Sequence, residues 1–329
     1  MKPFLPLVVA LAASVSLPAL AQDALEMGRE RSEAFLAGTL TPIWEDMTAD
    51  MQSGLGSLEN FSAFRDRVAA DLGEEEAVLD EKTSTEGDFS IYLRASEWSS
   101  AEVPILMQWV FDPEGDIAGF FVQPQPVAAE SAHLDYTTQA DLRLPFDGEW
   151  FVFWGGRDIE DNYHAANAAQ RFAYDFLVLE DGRSYEGNPQ ALDSYHCWGR
   201  DILAPADGEV VATVTDLPDQ PIGGSDPENP AGNHVVLDLG NGEFAFLAHM
   251  RQGSVTVQSG DSVARGEVLG QCGNSGNTSE PHLHFHLQTT PDLFAGEGLP
   301  AQFEDYVTDG QLTERGEPVK GQTIAPAAE

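Results

Sequence analysis

The chain has 329 residues, 42% of them hydrophobic, and carries 55 acidic against 16 basic side chains, a formal net charge of −39. That length allows roughly two domains, each with a real apolar core. So large a negative excess repels nucleic acid and anionic membrane surfaces, which excludes a nucleic-acid function but says nothing about a reaction.

Lys2 precedes an apolar run from Phe4 to Leu20, broken by Pro6, Ser14, Ser16 and Pro18 and ending in the small-x-small pattern Ala19-Leu20-Ala21. A spanning helix needs about 20 continuous apolar residues. The run therefore reads as a cleaved export signal over residues 1–21, leaving a mature chain of 22–329 without a membrane span, destined for the periplasm or the exterior.

Residues 23 to 73 read as helices: Arg29–Leu36 has apolar side chains at helical spacing, and Ser57-Leu58-Glu59-Asn60 precedes a Phe61, Phe64, Val68 stripe as a cap would. From Ala77 to Val122 the period changes to that of strands. Ser90–Arg94 and Leu106–Phe111 alternate or run apolar, Pro113-Glu114-Gly115-Asp116 signals a turn, and Ile117–Val122 follows. Helices first and a meandering sheet afterwards predict a small α+β domain over 23–123. In element order, and in its closing strand-turn-strand Trp109–Val122, this region resembles the nuclear-transport-factor-2-like, cystatin-like fold. That resemblance implies an accessory domain with a structural or positioning role.

Gln123-Pro124-Gln125-Pro126 opens a linker over 124–139. After Leu142 short strands and glycine turns dominate. Gly148–Trp154 is one strand, Val235–Leu239 another, and Glu243–His249 returns from it through Asn241-Gly242, residue types that tolerate the positive φ a tight hairpin requires. The expectation is a mainly antiparallel β domain over 140–300. Residues 301–329 read as a C-terminal tail, without clear apolar period from about Gly310, and predict a loosely held end.

The two cysteines, Cys197 and Cys272, sit in a chain expected outside the cytoplasm, where disulfides persist; one Cys197–Cys272 bridge is the simplest pairing. Zinc ligation by both is the alternative. It is disfavoured because neither belongs to a C-x-x-C pair and an oxidising compartment disfavours free thiolates.

Five of the eight histidines stand out: His164, His249, His282, His284 and His286. Pro281–Leu287 alternates strictly, so in a strand the imidazoles of His282, His284 and His286 project to one face while Leu283, Phe285 and Leu287 face a core. Neutral imidazole is the commonest metal-binding side chain. The turn-rich Gly273–Glu280 loop would bring the start of this strand to an exposed rim. His249 would lie beside the strand if the two segments pair. A catalytic zinc takes three protein ligands and keeps one position for water. Asp175, a single acid in the apolar Phe172–Phe176, is the best carboxylate candidate.

Gly148 to Gln288 resembles the lysostaphin-type (LytM-like) zinc metallopeptidases. The matching pieces are Tyr174-Asp175-Phe176, Ala204–Val210, Ala248-His249-Met250, Gly260–Gly270, Gly273–Gly276 and Pro281–Phe285, in order. The resemblance implies an exported zinc metalloendopeptidase, a hydrolase of bacterial peptidoglycan peptides with Zn²⁺ as cofactor. It places Asp175 and His284 on zinc-ligand positions and His249 and His282 on catalytic ones, with His286 supporting or structural. One position departs from the pattern. The family's first ligand is usually a histidine four residues before the aspartate, and Arg171 stands there. A guanidinium stays protonated and cannot coordinate zinc. The nearest substitute is His164, eleven residues before Asp175, which a loop would have to bring back. The alternative is a degenerate relative that binds peptidoglycan or regulates another hydrolase without cutting.

Overall fold

The computed structural model describes residues 19–327 except Phe294. The export signal expected over 1–21 therefore lies outside the described residues as far as position 18. Among the described residues no helix is long and apolar enough to cross a membrane. The chain divides into two compact units, one up to Gln125 and one from Pro126.

The first unit runs α1 (Ala19–Leu36), α2 (Leu40–Glu45), α3 (Ala49–Leu55), α4 (Leu58–Leu72), then β1 (Glu75–Glu86), β2 (Phe89–Trp98), β3 (Ile105–Phe111) and β4 (Ile117–Pro124). The Ser57 hydroxyl accepts from the Asn60 backbone N–H at 3.1 Å, satisfying one of the orphan donors of the first turn of α4. The strands form an antiparallel meander in chain order. Its core is aromatic: Trp109 stacks on Phe120 at 3.8 Å between centroids, and Phe35 and Phe61 are fully buried beside them. Aromatic burial on this scale carries much of a small domain's stability.

The second unit contains β5 (Trp150–Trp154), β6 (Tyr174–Leu177), β7 (Asp201–Leu203), β8 (Gly208–Val214), β9 (Asn233–Asp238), β10 (Phe244–Met250), β11 (Ser262–Val263), β12 (Val268–Gln271), β13 (Leu283–Gln288), β14 (Gly298–Leu299), β15 (Phe303–Thr308), β16 (Gln311–Gly316) and β17 (Thr323–Pro326). The large sheet has the order β11-β8-β9-β10-β13-β6-β5-β17-β15-β16, with β14 also on β13. Every pairing along it is antiparallel. The β9–β10 hairpin turns through Asn241 and Gly242 at φ 56° and 77°. Leu283, Phe285 and Leu287 of β13 are fully buried in one core with Tyr174, Phe176, Leu247 and Phe303. Cys197 and Cys272 are disulfide-bonded, with Cα atoms 5.9 Å apart, so zinc ligation by the two thiolates is not the arrangement found.

One expectation is corrected. The tail over 301–329 is not loose: β15, β16 and β17 extend the main sheet from β5, and Phe303, Tyr306 and Ile324 are buried in its core. These anchors are too widely spaced to make a period, yet each buried large side chain is worth about 1.5–3 kcal/mol. The segment at the end of the linker over 124–139 is tied to the second unit. The Glu243 carboxylate, fully buried, accepts from the Tyr136 hydroxyl and from the Gln139 and Ala140 backbone N–H groups. A buried polar group has to be hydrogen-bonded, and this one takes its donors from the linker's end and the residue after it.

Candidate metal and catalytic site

The centre of the sheet sets the site. β13 lies between β10 and β6, and in register His284 faces Ala248 on one side and Asp175 on the other. Alternation in β6 sends Tyr174 and Phe176 to the core and Asp175 to the opposite face, the face that also carries His282, His284 and His286. Asp175 Oδ1 lies 2.9 Å from His284 Nδ1 and 3.7 Å from His282 Nε2.

His164 reaches the same carboxylate from outside the sheet. It sits in the 3₁₀ turn Tyr163–Ala166, and its Nε2 lies 3.0 Å from Asp175 Oδ2. The fully buried Asn162 closes this excursion. Its amide donates to the carbonyls of Gly156 and Ala173 at 2.9 Å each, and its oxygen accepts from the His164 backbone N–H at 3.2 Å. One side chain thereby pins both ends of the loop and the turn between them. Arg171 is directed elsewhere: its guanidinium donates to the Arg157 carbonyl at 2.9 Å and stacks over Phe172.

His249 requires a break in the ladder. In regular alternation, coming after Ala248 on the site face, it would point into the core. The β9–β10 register instead shifts between Leu247 and Met250, and His249 adopts φ 62°. The bulge inserts one extra residue, so Met250 falls into the core and the imidazole turns back to the site, 4.7 Å from His282 between ring centroids. Its Nδ1 hydrogen donates to the Ser275 carbonyl at 2.9 Å. The loop carrying Ser275 can approach only because of two glycines. A Cβ on Gly232 would meet the Ser275 carbonyl oxygen at 2.2 Å, and one on Gly276 would meet the Gly232 nitrogen at 2.4 Å. His282 is anchored likewise, its Nδ1 hydrogen donating to the Glu280 carbonyl at 2.8 Å. In a neutral ring each of these bonds leaves Nε2 with a free lone pair.

Burial would raise the Asp175 carboxyl, but the imidazoles around it, His164 and His282 foremost, outweigh it and hold the group well below the usual carboxylate range. Burial lowers His249, His284 and His286, so these rings are neutral near pH 7. Two buried imidazoles and one carboxylate are a donor set that suits a divalent cation. The ligand atoms of His164, Asp175 and His284 all lie within 4.8 Å of one another. Metal–ligand bonds near 2.0 Å in a tetrahedron put ligand atoms roughly 3.3 Å apart, so little movement is needed.

The site opens into two cavities that share the Tyr163 ring. One, of about 300 Å³, is walled by Phe153, Trp154, Thr278 and Glu280 and reaches Asp175 and His282; the other, of about 220 Å³, reaches His164, His249, His284 and His286 beside Phe246. Sequence reasoning did not single out Trp154, Tyr163 or Gln288. Gln288 continues the His-x-His-x-His alternation by one step, and that spacing was the available signal.

Residues 190–294 match the model of peptidase family M23. The peptidoglycan DD-endopeptidase ShyA of Vibrio cholerae is 39% identical over 57 residues, 17% of this chain and 13% of that protein. Endolysin 2638A of Staphylococcus phage 2638A is 28% identical over 163 residues, 48% of this chain and 28% of that protein. The matches thus span less than a third of these relatives' own length. Among solved structures, the catalytic domain of lysostaphin from Staphylococcus simulans aligns at 18% identity over 45% of this chain and 86% of its own, with a TM-score of 0.28. The C-terminal half of the chain thus carries a domain of peptidase family M23.

Proposed function

We propose that the chain is an exported zinc-dependent endopeptidase acting on peptide cross-links or stems of bacterial peptidoglycan. His164, Asp175 and His284 would hold the ion. The observation that carries this reading is the shared carboxylate: Asp175 has His164 Nε2 at 3.0 Å on one oxygen and His284 Nδ1 at 2.9 Å on the other. The M23 match supports the reaction class, and the ShyA and endolysin matches support the substrate class. Export rests on the apolar leader that ends at Ala21.

When bound, the ion supplies Lewis-acid activation of water and of the scissile carbonyl. The chain's own side chains divide the rest. His249 and His282 each present an Nε2 lone pair, because each Nδ1 hydrogen is committed to a carbonyl. One of them takes the proton of the attacking water. The same ring returns that proton to the leaving amine as the peptide C–N bond breaks, while the other, protonated from solvent beforehand, donates to the developing oxyanion. Tyr163 and Trp154 wall the groove through which an extended peptide reaches them. The N-terminal unit is read as a nuclear-transport-factor-2-like accessory domain that positions the enzyme or its substrate.

One observation favours a second reading. Arg171 occupies the family's usual first-ligand position, as it would in a non-cutting regulator that binds peptidoglycan or activates another hydrolase. Incubating the purified chain with peptidoglycan, with and without a chelator, separates the two. Chelator-sensitive release of soluble peptide, with close to one zinc per chain, supports the enzyme. A metal-free chain that binds peptidoglycan without releasing peptide supports the regulator.

A further inference from the structure

We propose that His286 and Gln288 are positioning residues that lock His284 in the tautomer whose Nδ1 carries the free lone pair. The inference rests on the reading of His284 as a metal ligand, and it assigns work to two buried polar residues that the proposed mechanism does not use.

The direction of the relay follows from its far end. Gln288 is fully buried, and its amide nitrogen donates to the Thr290 carbonyl at 2.7 Å and to the Asp292 carbonyl at 2.8 Å. Two carbonyl partners require the NH₂ group there, so Oε1 points the other way, 3.3 Å from His286 Nε2. A carbonyl oxygen only accepts, hence His286 carries its hydrogen on Nε2. The ring is buried, one nitrogen facing the Gln288 oxygen and the other the His284 ring, and neither partner is an acid that could pair a buried cation; its Nδ1 therefore carries no hydrogen and must accept. The atom 2.9 Å from His286 Nδ1 is His284 Nε2, which therefore donates. A neutral His284 with its hydrogen on Nε2 presents a bare lone pair at Nδ1, the atom 2.9 Å from Asp175 Oδ1. That lone pair and the carboxylate oxygen are both acceptors. Their close approach is unfavourable until a cation sits between them.

Packing fixes the geometry of the relay. The His286 ring stacks on Phe246 at 4.6 Å with 9° between planes, and Phe246 lies opposite His286 across the β10–β13 ladder. His284, His286 and Gln288 are alternate residues of one strand, so the relay runs along a single sheet face. Fixing the tautomer of a ligating imidazole by a hydrogen bond at its other nitrogen strengthens metal binding, and losing such a partner lowers affinity about 10–100-fold.

The test uses the whole chain in two measurements. In metal-free protein labelled with ¹⁵N-histidine, the His284 signals, assigned with the His284→Gln variant, should report a hydrogen on Nε2 and none on Nδ1. The opposite tautomer overturns the proposal whether or not the chain binds zinc. In chelator competition, His286→Phe, which keeps the stack on Phe246 but removes both nitrogens, should bind Zn²⁺ 10–100-fold more weakly than the wild type. His286→Glu, which restores an acceptor for His284 Nε2, should bind within a few-fold of wild type. Equal Zn²⁺ affinity in wild type and His286→Phe overturns the relay and leaves the ligand assignment standing. A wild type without Zn²⁺ affinity defeats the ligand assignment, and the tautomer measurement then judges the relay alone.

Discussion

Asp175 and His284 are directly paired residues of adjacent antiparallel strands, with His284 Nδ1 2.9 Å from Asp175 Oδ1. Neighbouring strands in a ladder bring opposed side chains to within about 5.5 Å at Cβ, so backbone pairing alone holds these two donors together before any ion arrives. The His164 turn then closes the third side. On the proposed reading, the residues that keep the ion are thereby distinct from the residues that use it.

Replacing His284 or Asp175 with alanine should therefore abolish retention of metal. After dialysis against buffer without chelator, atomic spectroscopy should read close to one zinc per chain for the wild type and near none for either variant. His164→Ala should behave in the same way, because two ligands fall short of the usual three. Full zinc content in His164→Ala would remove that residue from the coordinating set.

The proposed catalytic pair should respond differently. His249→Ala and His282→Ala leave the three ligating atoms in place, so zinc content should stay near wild type while turnover of a peptidoglycan substrate falls about 10²–10⁴-fold, the usual worth of a general acid or base. Loss of metal together with activity would place the affected histidine among the ligands.

Much of this site was legible from alternation. A period of two places His282, His284 and His286 on one side of β13 and their apolar neighbours in a core, and an isolated acid between Tyr174 and Phe176 in β6 follows the same logic. His249 was marked by its residue type and by the pieces around it, but its aim was not, because a bulge at φ 62° reverses the parity that alternation assumes. The return of His164 depends on Asn162 bonding Gly156 and Ala173, a tertiary contact across seventeen residues that no local period encodes. The C-terminal strands stayed hidden because their buried anchors, Phe303, Tyr306 and Ile324, are sparse among polar residues.

Those anchors make a stability prediction. Ile324 is fully buried in β17, the strand that joins β5 to β15. Ile324→Ala should lower unfolding free energy by about 2–5 kcal/mol, as truncations of buried isoleucine do. Denaturant titration followed by tryptophan fluorescence reads this directly, since Trp150 pairs with Ile324. A change below about 0.5 kcal/mol, the range of surface substitutions, would mean that the C-terminal segment is not part of the cooperative core.

Strain at the bulge can be measured by comparing two truncations of the same side chain. At φ 62° an alanine keeps a Cβ in the left-handed region, at roughly 1–2 kcal/mol, whereas glycine does not. His249→Gly should therefore be more stable than His249→Ala by about 1 kcal/mol, the reverse of the order in a regular strand, where glycine is the weaker residue. The alanine variant being the more stable would show that position 249 relaxes to ordinary β geometry once the imidazole is removed.

The pH dependence of the metal-free chain follows from the buried ring at the same position. Burial is the largest cause that pushes His249 well below its ordinary value of 6.5, with His282 and His284 adding to it. Below about pH 6.5 the unfolded chain binds a proton at this residue that the folded chain refuses, so the His249 contribution is fully present above that value and is lost as pH falls toward the folded pKa. The acidic surface acts in the opposite direction, since acidification relieves the repulsion within a chain of formal charge −39. Comparison with His249→Gln removes that background, because both proteins carry it and only the wild type titrates at position 249. The stability of wild type relative to His249→Gln, from denaturant midpoints in chelator at pH 7.5, 6.5 and 5.5, should change by less than about 0.5 kcal/mol between the first two and fall by up to about 1.4 kcal/mol per pH unit below them. A relative stability that rises on acidification would require the ring to be charged in the folded chain, and His249 could not then serve as the base.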